Sequence, residues 1–409
     1  MLSVKKIRSI DDISILTGQV DHILTLFSGG LDSTYLLELL QGRGVKVTAL
    51  AIDMGDGIDN SLLTHIANHY GVDLIVVDGR QTFIEHSVIS AIQAQAMYLG
   101  DYPVSSSLSR PVIVKHAVEV AKRLNCGAII HTANQSQNSL RRLNGAIERS
   151  DFEGFYGSPY EYSAITRDEK IASLSLSGLF EFQNRNVSGD SNLWCREFES
   201  GVLDNPENFH LCESLFHWSA WNPKYQLVDQ NHQIAITFQK GIPVKLNDQP
   251  MTLSNMVAFL NKHVGSYQIG RYIGFDHLDA DEKVLEIREA PAACTLITAY
   301  RHLETAVLET NVLQMKAQQS LAWTNEAVEG RWGSTLQQAA QAFIEHTAQL
   351  VTGTVRFSLM QGQLFMNSIE ADQARYLTDR DAWEVQIAFE RSQRSIATDD
   401  YSLQLAETA

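Results

Sequence analysis

The sequence predicts an α/β protein whose N-terminal part is an open parallel β-sheet with helices on both faces. Short strands rich in β-branched residues alternate with helical stretches, a glycine-rich turn follows the first of these strands directly, and the composition becomes more polar and aromatic after about residue 150. Alternating strands and helices form right-handed βαβ units, which build a sheet covered on both sides. An α+β part and a helical C-terminal arm are predicted to follow.

The N-terminal elements are predicted from short apolar runs. Strands are expected at 22–27, 46–52, 72–77 and 127–132, and helices near 31–42, 59–70, 83–98 and 111–124. The strands lack a clean alternation of apolar and polar residues, which is typical of buried parallel strands. Ligands bind such sheets at the carboxyl ends of the strands, where Ser28 and Asn134 both fall.

The later elements are predicted from strand runs, turn signals and helical patterns. They comprise strands at 233–239 and 242–247, turns at 240–241 and 247–248, a long helical tract at about 292–320, a helix near 334–350, and a hairpin over 355–368 turning at 361–362. The charged tail from residue 370 is expected to be a helical arm that packs on a partner subunit, or else a frayed solvated helix. The predicted domains are 1–165 for nucleotide binding, 166–369 for substrate binding and 370–409 for oligomerisation.

One segment after the first predicted strand carries most of the functional signal. It consists of Leu26, Phe27, Ser28, Gly29, Gly30, Leu31, Asp32, Ser33 and Thr34. The glycines let the backbone turn tightly and bring N–H groups close to a ligand. The start of the following helix adds unpaired N–H donors and the positive end of a dipole, and the hydroxyls add further donors around an anion. A Walker-type loop contains a lysine that is absent here, so a different kind of pyrophosphate-binding loop is predicted.

Composition excludes several function classes. The net charge of −16 argues against a nucleic acid as the main partner, because such binding depends on clustered Lys and Arg. The four cysteines are scattered without a CxxC pair, so neither a zinc site nor a persulfide relay is indicated. Isolated cysteines, no signal peptide and no long apolar run predict a cytoplasmic protein without membrane insertion.

The loop has the S-G-G-x-D-S signature of the PP-loop, or N-type ATP pyrophosphatase, superfamily, and the chain resembles argininosuccinate synthases along nearly its whole length. The similar segments are AIQAQAMYLGDYPVSSSLSRP (91–111), SGDSNLW…FESGVLDNP (188–206), KGIPVKLN, IGRYIG, EAPAA (289–293) and the Gly-x-Trp at 330–332. This resemblance implies an adenine nucleotide α-hydrolase-like fold, a tetramer built through C-terminal arms, and cleavage of ATP between its α and β phosphates with Mg²⁺. The product would be an adenylate of a carbonyl-type oxygen.

The resemblance also implies roles for particular residues. ATP would contact the segment Leu26 to Thr34 together with Ile52 and Thr132, and Asp32 and Arg142 would serve catalysis. Citrulline in the family is held at the positions of Tyr102, Ser107, Arg142, Ser188, Glu197, Asp276 and Arg288. The amine donor aspartate is held at the positions of Asn134, Asn138 and Ser139. A neutral carbonyl oxygen must be oriented for in-line attack on the α-phosphorus, so hydroxyls and an arginine suit this pocket.

Departures from the family pattern predict an altered pocket. The family's H-G-A-T-G-x-G-N-D loop reads HTANQSQNS at 131–139, so three glycines are lost and Ser139 replaces a carboxylate. Glu197 stands for a family Ser, Asp276 for Glu, and Arg288 for Tyr. Arginine adds a five-donor fork suited to carboxylate or phosphate. Either the pocket takes a different ligand, or Glu197 and Arg288 pair with each other and refill it.

The sequence therefore predicts an ATP-dependent carbon–nitrogen ligase that adenylates a ureido or other carbonyl oxygen and then joins an amino-group donor with release of AMP. Two alternatives stay open: a true argininosuccinate synthase of arginine biosynthesis, and a catalytically silent nucleotide-binding paralogue suggested by the lost glycines. A tRNA-modifying enzyme is disfavoured by the acidic charge. Glutamine-dependent amidation is disfavoured because no glutaminase domain precedes the loop.

Overall fold

The computed structural model describes residues 5–183, 188–199, 201–220, 232–278 and 281–407. Its first elements are β1 (Lys6–Ile7), α1 (Ile10–Leu16), β2 (His22–Leu26), α2 (Leu31–Leu40), β3 (Lys46–Asp53), α3 (Asn60–Tyr70), β4 (Asp73–Asp78), α4 (Arg80–Phe83), a π-helical turn (Ile84–Val88), α5 (Ile89–Gln93), β5 (Met97–Tyr98), β6 (Tyr102–Pro103), α6 (Ser106–Arg123), β7 (Ala128–Ile130), α7 (Ser139–Glu148), β8 (Phe155–Gly157) and α8 (Arg167–Leu176).

A parallel sheet forms the N-terminal part, and the predicted fold class is confirmed. Its strand order is β1-β8-β7-β2-β3-β4, with every pair parallel. All four predicted strands are present, and the short outer strands β1 and β8 extend the sheet on one side. With two and three residues, these strands are too short to show a pattern in the sequence. The order β7-β2-β3 brings three strand ends together at one edge of the sheet.

The C-terminal part contains antiparallel sheets and helices. Its elements are β9 (Ser188–Ser191), β10 (Arg196–Glu199), β11 (Gln233–Gln239), β12 (Ile242–Leu246), β13 (Gln249–Pro250), α9 (Leu253–His263), β14 (Arg271–His277), β15 (Lys283–Glu289), α10 (Pro291–Val307), α11 (Thr310–Val328), α12 (Thr335–Ala348), β16 (Gly353–Met360), β17 (Gln363–Ala371) and α13 (Arg380–Glu407). One sheet has the order β14-β15-β10-β9, and the other β13-β12-β11-β16-β17.

The predicted turns of the larger antiparallel sheet are confirmed. Lys240 and Gly241 have φ of 50° and 76°, as two-residue hairpin turns require. The hairpin of β16 and β17 turns at Gln361 and Gly362, as predicted. Turn chemistry is local in the chain, which is why the sequence reveals it.

Three predicted helices differ from the structure. The tract at 292–320 is two helices, because Leu308 and Glu309 have extended ψ angles of 151° and 148° that end α10 before α11 begins. The helix expected over 83–98 begins at Arg80 and ends at Gln93, and Met97–Tyr98 pairs with β6 instead. The helix expected from 111 begins at Ser106 and carries Pro111 inside it.

The C-terminal helix α13 leaves large apolar side chains uncovered. Trp383, Val385 and Phe389 are 43%, 72% and 64% exposed. Their exposure agrees with a tail that contributes little to the core of its own chain. Among the described residues, no helix is long and apolar enough to cross a lipid bilayer.

Candidate active site

The glycine-rich segment lies at the carboxyl edge of the parallel sheet. Leu26 ends β2, and Ile52 lies near the end of the adjacent strand β3. Thr132 follows β7 on the other side of β2. The predicted nucleotide-binding residues are therefore brought together from three neighbouring strands.

The turn between β2 and α2 depends on its two glycines in different ways. Gly29 has φ of +69°, and a Cβ there would lie 2.6 Å from Leu63 Cδ2, so only glycine fits. Gly30 is the N-cap residue of α2, with φ of −80°. The Ser28 and Ser33 hydroxyl oxygens are 3.3 Å apart across the turn. The Gly30 N–H donates to Ser28 Oγ at 3.3 Å, and Ser33 Oγ donates to the Gly30 carbonyl at 3.1 Å. Backbone N–H groups and hydroxyls are thus gathered at a helix start, which suits an anion.

Asp32 is paired with a lysine that the sequence reasoning missed. Lys170 Nζ lies 2.7 Å from Asp32 Oδ1, and the Lys170 side chain is only 7% exposed. Its ammonium also lies over the Tyr160 ring, 4.5 Å from the centroid, and the Tyr160 hydroxyl donates to the Asp32 carbonyl at 3.0 Å. The loop that lacks a lysine of its own therefore has one beside it, supplied by α8. The T-x-x-E capping box of α8 at Thr166 signals the helix but not this pairing.

Three of the predicted acceptor residues, Glu197, Asp276 and Arg288, lie on one face of the four-stranded sheet. Glu197 is opposite Arg288 in the pairing of β10 with β15, and opposite Asp190 in the pairing with β9. Residues at every second position share a face. Glu199 and Glu286 consequently join Glu197, Arg288 and Asp190 on the same surface. These two carboxylates were not predicted, although the spacing of two from Glu197 and Arg288 carries the signal.

Arg288 is paired within the protein. Its Nη1 lies 2.8 Å from Glu197 Oε1, its Nη2 contacts Glu286 Oε2, and its guanidinium carbon lies 4.0 Å from the centroid of the Tyr102 ring. Burial alone would lower the pKa of Arg288, but the facing carboxylates of Glu197 and Glu286 raise it above its usual value. Of the two alternatives that the sequence left open, the structure shows the one in which Glu197 and Arg288 pair with each other.

The predicted acceptor-side and donor-side residues are in direct contact. Asn138 Nδ2 donates to Asp276 Oδ2 at 2.8 Å, and Arg142 Nη2 lies 3.7 Å from the same oxygen. Burial opposes ionisation of Asp276, yet Arg142 and Arg288 hold its pKa below the usual value. Arg142 also donates to Ser106 Oγ at 2.8 Å and to the Val328 carbonyl at 2.9 Å.

Three other predicted substrate residues lie on α6, α7 and β9. Ser107 is buried in the first turn of α6. Ser139 begins α7, and its hydroxyl accepts from Arg110 Nη2 at 3.0 Å. Arg110 Nη2 also contacts Asp190 Oδ2 at 2.5 Å, so Arg110 is a further site residue that sequence reasoning did not single out. Ser188 begins β9, and its side chain lies outside the described part of the structure.

The 131–139 loop follows β7 without any left-handed residue. None of its nine residues has a positive φ, so the lost glycines leave no strained backbone. Asn134 Oδ1 accepts from the Ser136 N–H at 3.1 Å, and Gln137 Nε2 donates to Glu199 Oε1 at 3.3 Å. The loop is thus held by its own side chains and by the carboxylate-rich face of the sheet.

A parallel sheet with this loop at its carboxyl edge, followed by an antiparallel part, matches two family models that define an ATP-dependent ligase of the class that converts ATP to AMP and pyrophosphate. Residues 22–178 match the model described as the Arginosuccinate synthase N-terminal HUP domain, and residues 187–407 match that of the Arginosuccinate synthase C-terminal domain. The chain belongs to the argininosuccinate synthase family.

Curated relatives extend over most of the chain. An argininosuccinate synthase of Lacticaseibacillus paracasei is 34% identical, covering 84% of each chain. One from Pyrococcus furiosus is 31% identical over 87% of this chain and 86% of its own, and one from Oenococcus oeni is 31% identical over 84% of each. Among solved structures, an NH3-dependent NAD synthetase from Campylobacter jejuni covers 42% of this chain with a TM-score of 0.29, too low to bear on the fold.

Proposed function

We propose that this ligase activates a ureido or related carbonyl oxygen of a small-molecule acceptor that is related to an amino acid but is not citrulline. ATP binds at the Ser28 to Thr34 loop, and attack of the acceptor oxygen on the α-phosphorus releases pyrophosphate. An amino-group donor held beside the 131–139 loop then displaces AMP. The enzyme works in the cytoplasm as a homotetramer, and no nucleic acid or membrane takes part.

The nucleotide half of the reaction is supported by the loop chemistry. N–H groups at the start of α2 and the Ser33 hydroxyl suit the charge that develops on pyrophosphate. Mg²⁺ fits here as a companion of ATP, because the Asp32 carboxylate and the loop hydroxyls are the oxygen ligands that this ion prefers. When bound, the ion would neutralise charge on the leaving group. Lys170 would share the Asp32 carboxylate with it.

The ligation half is supported by one observation above all. The hydrogen bond from Asn138 to Asp276 joins the predicted donor side to the predicted acceptor side. A two-substrate ligation requires such adjacency, because the amine must reach the adenylated carbon. Arg142 lies against the same carboxylate and is proposed to orient the acceptor.

Arg288 and Glu197 pair with each other and refill the pocket, and an altered acceptor is proposed because the refilled pocket has neither a tyrosine nor a serine hydroxyl at these two positions. Two buried charged side chains now occupy positions where the resembling family has a tyrosine and a serine. A ligand that relied on those hydroxyls would leave its own polar groups unpaired, which is costly in a buried site. Citrulline is therefore expected to be a poor substrate.

The proposal is tested by ATP–pyrophosphate exchange with purified enzyme across citrulline, other ureido compounds and amino acids. We expect exchange that depends on one acceptor class, and AMP with pyrophosphate as products of full turnover. Efficient argininosuccinate formation from citrulline and aspartate would show that the protein is an ordinary argininosuccinate synthase. Stoichiometric ADP, or ATP binding without any exchange, would contradict the ligase proposal.

The tetramer is proposed to form through α13. Its exposed Trp383, Val385 and Phe389 would be covered by another subunit. Ending the chain after Asp379 removes this helix while keeping Arg375, whose Nε donates to the Val307 carbonyl at 3.0 Å. We expect the full chain to be a tetramer by light scattering at micromolar concentration and the shortened chain to be a smaller species. A monomeric full chain would refute the arrangement.

A further inference from the structure

The face of the four-stranded sheet beneath the proposed substrate site is unusually rich in carboxylates. In the pairing of β10 with β15, Glu197 is opposite Arg288 and Phe198 opposite Ile287. The next positions along these strands are Glu199 and Glu286, which places two carboxylates side by side. Like charges directly opposite each other destabilise a sheet unless a cation or a proton lies between them.

Charge on this face does not balance. The carboxylates are Asp190, Glu197, Glu199, Asp276 and Glu286, and the guanidiniums that contact them are Arg110, Arg142 and Arg288. If all were ionised, the group would carry two more negative than positive charges. Most of these side chains are buried, so solvent screens the imbalance poorly.

Each of the guanidiniums already has partners within the protein. Arg288 contacts Glu197 and Glu286. Arg110 contacts Asp190 and the Ser139 hydroxyl. A ligand carboxylate would have to break one of these pairings and would add a negative charge to a surface that already has an excess.

A buried hydrogen-bond acceptor on the same surface is left without a donor. Asn138 is only 8% exposed, and its Oδ1 has no hydrogen-bond partner among the described residues. The other end of that amide donates to Asp276, so Oδ1 belongs to the same cluster. A buried acceptor without a hydrogen-bond donor lowers the stability of the folded protein. An N–H group of a ligand would satisfy it.

We propose that the acceptor is a net cation, a ureido or related carbonyl compound that carries an ammonium or guanidinium group and no free carboxylate. The inference rests on the proposed function and specifies its substrate class. The cation supplies the positive charge missing beside Glu199 and Glu286 and donates a hydrogen bond to Asn138. A zwitterionic amino acid fails because every arginine in the described part of this surface is already engaged.

Proton binding supports the same conclusion. Burial raises the pKa of Glu199 to about 7, and the charges of Glu197 and Asp190 raise it further. The hydrogen bond from Gln137 and the charge of Arg110 act in the opposite direction. Burial likewise raises the pKa of Glu286 to about 7, with Arg288 opposing and the carboxylates of Glu197, Asp276 and Glu199 adding to it. Without ligand, protons therefore partly neutralise the excess near pH 7. A bound cation favours the ionised carboxylates, so binding should release protons and strengthen as the pH rises through 7.

Three ureas that differ in one group each provide the test. Citrulline is compared with (4-aminobutyl)urea, which lacks the carboxylate of citrulline, and with butylurea, which lacks the ammonium group as well. Binding is measured by calorimetry, and activation is measured by ATP–pyrophosphate exchange. We expect (4-aminobutyl)urea to be preferred over both by about 10²-fold, on the scale of the penalty for leaving a buried polar group unpaired. Its binding heat near pH 7 should depend on the ionisation enthalpy of the buffer, because protons are released.

Variants separate a direct role of the carboxylates from a structural one. Glu199→Gln should weaken (4-aminobutyl)urea binding about tenfold or more and reduce the buffer dependence of the binding heat, because only Glu286 is then left to release a proton. Glu207→Gln, on an exposed side chain, is the matched control and should change neither. Citrulline or butylurea binding as well as (4-aminobutyl)urea would overturn the inference while leaving the ligase proposal intact. Loss of exchange across every acceptor tested would instead count against the ligase proposal.

Discussion

Replacing Gly30 with valine should reduce ATP–pyrophosphate exchange by about 10³-fold, on the scale set by losing preorganised N–H donors at a charged transition state. Gly30 has φ of −80°, which valine adopts without strain, and its added Cβ would lie 3.1 Å from Ser28 Oγ. The branched side chain would therefore fill the phosphate space rather than disturb the core. Exchange assays measure the loss of activity. A melting curve measures stability, and we expect it to stay close to that of the natural chain.

Two other glycines provide contrasts for this variant. Gly29→Ala should lower the melting temperature as well as activity, because φ of +69° and a contact of 2.6 Å with Leu63 both oppose a side chain. Gly18→Val, at an exposed glycine with ordinary φ and no close side-chain neighbour, should leave exchange unchanged. Full turnover by the Gly30 variant would show that the loop does not hold the nucleotide.

Replacing Arg288 with methionine is expected to lower the free energy of unfolding by about 3–5 kcal/mol, because removing one member of a buried ion pair leaves uncompensated charge. Arg288 and Glu197 are 4% and 7% exposed, and Glu286 loses its partner in the same step. Urea denaturation measures the change. Adding Glu197→Gln to the variant should recover part of the lost free energy of unfolding, because the double variant has one fewer buried carboxylate without a cationic partner.

The same variant predicts a pH dependence with a definite sign. Arg288 opposes the raised pKa of Glu286, so its removal raises that pKa further above the unfolded value. A carboxyl group with a raised folded-state pKa loses stability as pH rises, because the folded state resists its ionisation. The stability deficit should therefore be larger at pH 8 than at pH 5. A deficit below 1 kcal/mol, or one that is independent of pH, would contradict the buried pairing.

Local signals in the sequence predicted most of the fold. The run at 233–239 became β11 with the expected bounds, because a short β-branched segment between turns has one favourable conformation. The break at Leu308 could not be anticipated, since Leu and Glu both favour helices and only packing of α10 against its neighbours decides where the helix ends. Strand β1 gains its stability from pairing with β8, which lies about 150 residues later in the chain.

For the candidate site, the sequence indicates residue types but not the interactions between them. Glu197 and Arg288 were identified as altered positions, but whether they pair depends on the register of β10 with β15. Lys170 was missed because its partner Asp32 is 138 residues away in sequence. Long-range ion pairs have no local pattern, so the charge of a pocket becomes evident only when the strands and helices around it are placed.

The backbone of the 131–139 loop has a consequence for enzyme engineering. Since no residue of this loop adopts a left-handed conformation, no position in it requires glycine, and each tolerates L-amino acids other than proline as far as its main chain is concerned. Randomising exposed positions such as Gln135 and Ser136 should therefore yield mostly folded proteins. Selection for new amine donors can then explore side chains freely on a scaffold that supplies adenylation, which makes this loop a natural starting point for directed evolution of nitrogen-transfer specificity.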